Sequence, residues 1–303
     1  MRRTERLVVQ PSAPLPALPP ARTHQFVVRV PGRSAPLEAM VVRPAADTER
    51  VLVYFLGFND PLGPWEGAKA ALLAEAFGAA VVAVELPGQS RFGDPIPGDV
   101  RGPMLRGRIE PWVALQWDYL RVAMEVAGLS PTGFDVLGYS TGCSLAMSSL
   151  GTLAGIAPLR SVMLIEPVGA LRRSMGALAV HNLLDVVRQP PSYRSNHAHD
   201  WVMELRNRQL REPWIRYWPQ DLMAITTILR RDHIRSHLAL LGDVPLHLVR
   251  GSTSDLCRAD AFRELGHAHE RGVSITVPGF GHPLWHAFPV LVPLIRRLRD
   301  ANG

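Results

Sequence analysis

Lysine is almost missing from this chain: of its 33 basic residues only Lys69 is a lysine, so the formal charge of +6 is carried by arginine. The excess is scattered over Arg101, Arg106, Arg108, Arg206, Arg208, Arg211, Arg230, Arg231 and Arg296 to Arg299 with no nucleic-acid motif around it, which excludes nucleic acid as an expected partner. Cysteine is nearly as scarce. Cys143 and Cys257 make neither a disulfide framework nor a zinc motif, and each reads as a small packing residue. No apolar run approaches the roughly 18 residues of a membrane span, so no membrane partner is expected. Arg2, Arg3 and Arg6 are followed by a stretch with prolines at 11, 14, 16, 19 and 20 and not by an apolar signal segment, so the expected location is cytoplasmic. That stretch cannot continue a helix, and residues 1–25 read as an extended lead-in wrapped on the surface.

What is present is an alternation. β-branched runs bounded by turn residues occur at Phe26 to Val30, Leu37 to Val42, Val51 to Phe55, Ala80 to Glu85, Phe134 to Leu137, Val162 to Ile165, Leu246 to Val249 and Val273 to Val277. Helix-like stretches fall between them from the third onward: Pro64 to Phe77, Pro111 to Ala127, Thr141 to Leu153, Arg258 to Glu270 and Pro283 to Leu298. Strand and helix in alternation predict an α/β fold with a mostly parallel, doubly wound sheet of about eight strands. The first two strands have only a short connection and are expected as an antiparallel hairpin at one edge. The roughly 80 residues between Ile165 and Leu246 are too many for one crossover helix. Residues 167–241 are therefore expected to form an inserted helical cap on a core made of 26–166 and 242–303.

The chemistry concentrates in Phe134-Asp135-Val136-Leu137-Gly138-Tyr139-Ser140-Thr141-Gly142, an apolar strand running through Gly-x-Ser-x-Gly into a helix. A serine displayed on so sharp a turn needs small residues two before and two after it, where strand and helix approach closely. Gly138 and Gly142 meet that need. Serine is a weak nucleophile and requires a base, itself oriented by a carboxylate. Downstream, one strand leads into Gly251-Ser252-Thr253-Ser254-Asp255, and another into Pro278-Gly279-Phe280-Gly281-His282. Both polar residues would lie at the carboxyl ends of strands, where open parallel sheets present their sites. The expected triad is Ser140, Asp255 and His282. Glu166, ending a strand in Ile165-Glu166-Pro167, is the alternative acid.

These motifs, with Leu86-Pro87-Gly88-Gln89-Ser90 after the fourth strand, resemble those of the α/β-hydrolase fold superfamily over nearly the whole chain from Phe26, the cap excepted. Where the family often has His-Gly after its third strand, this chain has Leu56-Gly57-Phe58-Asn59-Asp60. The resemblance implies an oxyanion hole of two backbone N–H groups, placed here at Phe58 and Thr141, and needing neither side chain. It also implies hydrolysis of an ester, lactone or thioester of a mid-sized, partly apolar small molecule through an acyl-enzyme, with no cofactor and no metal. The same triad serves acyl transfer, carbon–carbon cleavage, lyase and cyclisation chemistry, and a catalytically silent binding protein on this fold is a further reading. His286, His267 and His269 read as surface or packing histidines, as do His197, His199, His233 and His237. Trp214 and Trp218 read equally as pocket lining or as the cap's own core.

Overall fold

The computed structural model describes residues 3–10, 13–33, 35–187 and 193–302, the side chain at position 186 excepted. Arg2 and Pro11 of the lead-in, and 188–192 of the segment read as a cap, lie outside the described residues.

Among the described residues nine strands form one sheet: β1 (Arg3–Arg6), β2 (Arg22–Val28), β3 (Leu37–Arg43), β4 (Arg50–Phe55), β5 (Ala80–Val84), β6 (Gly133–Tyr139), β7 (Leu159–Ile165), β8 (Leu246–Gly251) and β9 (Val273–Val277). They lie in the order β1-β9-β8-β7-β6-β4-β5-β3-β2. From β5 to β1 all pairs are parallel, and β3 and β2 run antiparallel at the opposite edge. The eight strands read from β-branched runs are present, and the hairpin of β2 and β3 forms the edge as expected. The ninth is a correction. Arg3–Arg6 carries no apolar pattern, yet its backbone pairs with β9 and its Glu5 is clamped by Arg297, Nε donating to Oε2 at 2.6 Å. The lead-in is thus part of the sheet, and Leu7, Val9, Leu15, Leu18 and Ala21 pack against one face of the core.

Strand periodicity sorts the core into two layers. Val51, Val53 and Phe55 of β4 join the apolar cluster on one face, whereas Leu52 and Tyr54, with Leu56 beyond the strand, join the other. Every residue of β5 and β6 is buried, as befits strands covered on both faces. Helices α1 (Pro64–Phe77), α2 (Gly98–Leu105), α3 (Glu110–Val126), α4 (Gly142–Ala154), α9 (Ala259–Ala268) and α10 (Phe288–Asn302) accompany the sheet. Proline opens the first turns of α1 and α3, where its missing N–H leaves nothing unpaired and its fixed φ suits the helix. Trp112 of α3 is fully buried, its indole N–H donating to the Pro87 carbonyl at 3.1 Å; truncation to alanine is of the kind that costs about 3–5 kcal/mol.

Between β7 and β8 the chain forms a helical insert with α5 (Met175–Val187), α6 (Asp200–Gln209), α7 (Pro219–Leu229) and α8 (His233–Ser236). It is tied to the core through residues 90–101. Arg91 pairs with Glu212 at 2.9 Å, Ser90 and Arg216 exchange backbone hydrogen bonds, and the fully buried Asp221 accepts from Ile96 N–H at 2.9 Å and Arg101 Nη1 at 3.2 Å. Among the described residues no helix is long and apolar enough to cross a membrane.

Strand order also locates the opening. The chain passes from β4 to β5 on one side and returns with β6 on the other side of β4, so the connections leaving β4 and β6 diverge at their carboxyl ends. A crevice forms at such a switch point.

Candidate active site

Ser140 stands at that switch point, on the turn between β6 and α4, with φ +53°. Positive φ is costly for any residue with a Cβ, and it persists here because both flanks are packed. A Cβ on Gly138 would lie 2.7 Å from the Cys143 Cα, and one on Gly142 would meet the carbonyl oxygens of Phe55 and Leu56. The Ser140 N–H donates to the Ile165 carbonyl at 2.9 Å. Among the described residues three non-glycine positions have positive φ, namely Asn59, Ser140 and Glu166, and they follow the ends of β4, β6 and β7. Strain of this kind gathers where side chains must be aimed.

The Ser140 hydroxyl donates to His282 Nε2 at 2.8 Å, and His282 Nδ1 donates to Glu166 Oε2 at 3.1 Å. Asp255 was the expected acid and Glu166 the alternative, and it is Glu166 that the structure brings to the histidine. Glu166 is fully buried and its carboxylate also accepts from the Gly251 N–H and, at 2.6 Å, from the Ser254 hydroxyl. The loop after β8 therefore turns a donor toward the histidine's partner, not a second carboxylate. The backbone at Asp255 is bound by the insert: the buried carboxylate of Asp185, from α5, accepts the N–H groups of Asp255 at 3.2 Å and of Leu256 at 2.6 Å.

Phe58 and Thr141, the expected oxyanion donors, line the same cavity as Ser140. The loop after β4 shows why Phe58 is available. Its neighbours are engaged, Gly57 N–H with Asp60 Oδ2 at 3.0 Å and Asn59 N–H with Gln89 Oε1 at 2.8 Å, while the Phe58 and Thr141 N–H groups have no partner among the described residues. An N–H without a partner, on a loop that lines the cavity of the nucleophile, is what a transient anion requires.

Behind this loop lies a charged cluster that sequence reasoning missed. Lys69, fully buried in α1, donates to Glu66 Oε1 at 2.6 Å and to His286 Nδ1 at 3.0 Å. His286 Nε2 lies 3.4 Å from Asp60 Oδ1, and the Tyr54 hydroxyl donates to Glu66 Oε2 at 2.9 Å. Burial, and next the Glu66 charge, push the Asp60 carboxyl up to about 7 against the opposing pull of Lys69. Burial and the Lys69 ammonium hold the His286 imidazole well below its usual range, hence neutral. Asp60, Glu66 and His286 bring their donor atoms within 4.8 Å of one another, as a metal site would, but the Lys69 ammonium already supplies the cation against two of the three. The signal available in the sequence was the lysine itself, the single one in the chain, set in an Ala- and Leu-rich helix.

The cavity in front of Ser140 has a volume of about 1120 Å³. One wall is apolar, from Val168, Leu178, Ile225 and Leu229; Asp60, Glu66, Tyr139 and Tyr193 also line it. Trp214 lines it too while being 73% exposed, and Trp218 is half exposed with its indole N–H on the Gly93 carbonyl at 2.9 Å, so neither forms a core within the insert. Both cysteines are buried, which raises their thiols well above the usual range and leaves them unreactive. His237 Nδ1 lies 2.7 Å from the His233 carbonyl oxygen, His197 faces Arg206 at 3.2 Å, and His269 faces the Val244 carbonyl at 2.9 Å.

Sheet order, elbow and crossover helices together define the α/β-hydrolase fold. The chain is similar to a malate-bound thermophilic esterase from Thermogutta terrifontis, at 17% identity and TM-score 0.58 over 92% of this chain and 100% of that one. It is similar also to an alpha/beta hydrolase fold protein from Chitinophaga pinensis, at 15% identity and TM-score 0.55 over 93% and 96% of the two chains. A thermostable esterase from Pseudomonas putida aligns at 18% identity and TM-score 0.52 over 97% and 85%. Neither a family model nor a curated protein matches the sequence. At these identities the likeness establishes the fold; in this chain an N-terminal strand joins the sheet and a carboxylate after β7 faces the histidine.

Proposed function

We propose that the chain is a serine hydrolase of ester-type bonds, working through an acyl-enzyme on a mid-sized, partly apolar small molecule. The observation that carries this reading is the unbroken hydrogen-bond chain from Ser140 Oγ through His282 to Glu166, at 2.8 and 3.1 Å, opening on a partly apolar cavity. Ser140 attacks the carbonyl while His282 Nε2 takes its proton and returns it to the leaving oxygen. Glu166 fixes the tautomer with the proton on Nδ1 and stabilises the imidazolium that forms. The Phe58 and Thr141 N–H groups bind the oxyanion. Residues 167–241 serve as a cap over the core formed by the sheet and its helices, with α5 and α7 contributing the apolar wall that receives the acyl chain. Esterase activity in structural relatives accords with this reading.

A fluorophosphonate tests it. The wild type should take one phosphonyl group, located on Ser140 by mass spectrometry, and hydrolyse short and medium p-nitrophenyl esters. Ser140→Ala should lose both. Undiminished labelling of that variant, or a wild type inert to every ester, lactone and thioester offered, would sink the proposal.

A further inference from the structure

We propose that Lys69, His286 and Asp60 form a second relay that positions the Leu56–Asp60 loop so that the Phe58 N–H faces the reacting carbonyl. The inference rests on the ester-hydrolase reading and adds three positioning residues to it.

The chemistry of each contact fixes the order. A lysine ammonium has three donors and no acceptor, so Lys69 at 3.0 Å must meet the lone pair of His286 Nδ1. The neutral imidazole then carries its proton on Nε2, the atom 3.4 Å from Asp60 Oδ1. The other Asp60 oxygen accepts the Gly57 N–H at 3.0 Å, one residue before Phe58. Ammonium, imidazole, carboxylate and loop backbone thus follow one another in contact, the imidazole–carboxylate approach of 3.4 Å being the longest step. Packing leaves the loop little alternative: a Cβ on Gly57 would stand 2.6 Å from Asp60 Oδ2 and 2.7 Å from the Tyr139 ring, and Asn59 is held at φ +63°. The His286 ring is itself set by Tyr139, edge-on at 5.3 Å, and Tyr193, stacked at 6.1 Å.

Burying a lysine is expensive unless it is paired. Glu66 pairs with Lys69, and burial, then the Glu66 charge, hold the Asp60 carboxyl up at about 7. The titratable groups around it are Glu66 and Lys69 from α1, His282 and His286 from the turn after β9, Tyr54 from β4, Tyr139 from β6, and Tyr193 from the insert. The relay works with Asp60 ionised, so its contribution fades as pH falls through about 7, and removing the Lys69 charge moves that fading to higher pH.

The test uses the full chain with Lys69→Met, His286→Phe, His286→Gln and Asp60→Asn, reading kcat and KM for a short p-nitrophenyl ester from pH 5 to 9 beside the endpoint of Ser140 phosphonylation and thermal stability. Loss of a direct oxyanion donor costs about 10²–10³ in kcat, and mis-setting one should cost less, about 10- to 100-fold. Lys69→Met and His286→Phe should show that fall with KM within about twofold and Ser140 still labelled to completion. His286→Gln, whose amide N–H can reach Asp60, should recover most of it. The acid limb of kcat should rise in pH in Lys69→Met, and adding Asp60→Asn should cancel that shift. Should Lys69→Met fail to fold, His286→Phe decides alone, because its ring keeps the contacts with Tyr139 and Tyr193. Wild-type kcat and pH profile in a folded His286→Phe, or a loss confined to KM, would overturn the relay. A wild type whose Ser140 takes no label would remove the hydrolase reading first, and the relay with it.

Discussion

The ends of β7 and β8 are neighbours in the sheet, each carries an acid on the loop that follows, and their fates are opposite. Glu166, the first residue after β7, is fully buried with three donors on its carboxylate: a backbone N–H, a serine hydroxyl and His282. Asp255, four residues after β8, lies on a loop whose backbone is gripped by Asp185 from the insert. The longer side chain of glutamate, projected from a backbone at φ +53°, reaches the histidine directly from the strand end. From the loop after β8 it is the Ser254 hydroxyl, one residue before Asp255, that reaches the Glu166 carboxylate. Two carboxylates at the same edge of a sheet are therefore told apart by where their backbones are held.

The sharpest way to break this comparison is Glu166→Gln, which should lower kcat by about 10³–10⁴ while the fold persists, as loss of the orienting carboxylate does in a triad. Circular dichroism beside steady-state kinetics checks it. Ser254→Ala comes next. It removes a hydrogen bond to a charged acceptor, of the kind contributing about 1.5–3 kcal/mol, and should reduce kcat/KM about tenfold or somewhat more without moving KM. Asp255→Asn should have the smallest effect, within about twofold in both constants. A kcat loss for Asp255→Asn larger than for Glu166→Gln would return the role of orienting acid to the loop after β8.

Much of this molecule was legible beforehand, and the boundary has a physical cause. Hydrophobic period and turn chemistry are local, so eight strands, the elbow at Gly138 to Gly142 and the helix at Pro64–Phe77 were readable from residues a few places apart. Ser140 and His282 sit in local motifs as well, and they meet. Which acid completes them depends on strand order and on a backbone dihedral at Glu166, and Pro167 argues against anything but extended geometry there. The strand at Arg3–Arg6 was invisible because backbone pairing with β9 needs no side-chain pattern. Lys69 and His286 are 217 residues apart in sequence, and only the composition, one lysine among 33 basic residues, hinted that this one was unusual.

The N-terminal segment has a consequence for the rims of the sheet. β1 closes one edge and β2 the other, and about fifteen residues, with Pro14, Pro16, Pro19 and Pro20 among them, join the two. Nine strands span roughly 38 Å across, and a chain of that length in extended polyproline geometry would reach roughly 45 Å, enough to connect the two edges. Open sheet edges are templates for unwanted pairing with other chains, and short strands rich in charge blunt them. Both rims are finished by one stretch of chain, with the short, charged Arg3–Arg6 on one side and the polar first half of Arg22–Val28 on the other. Protection against aggregation at two distant edges is thereby a single property, acquired or lost together.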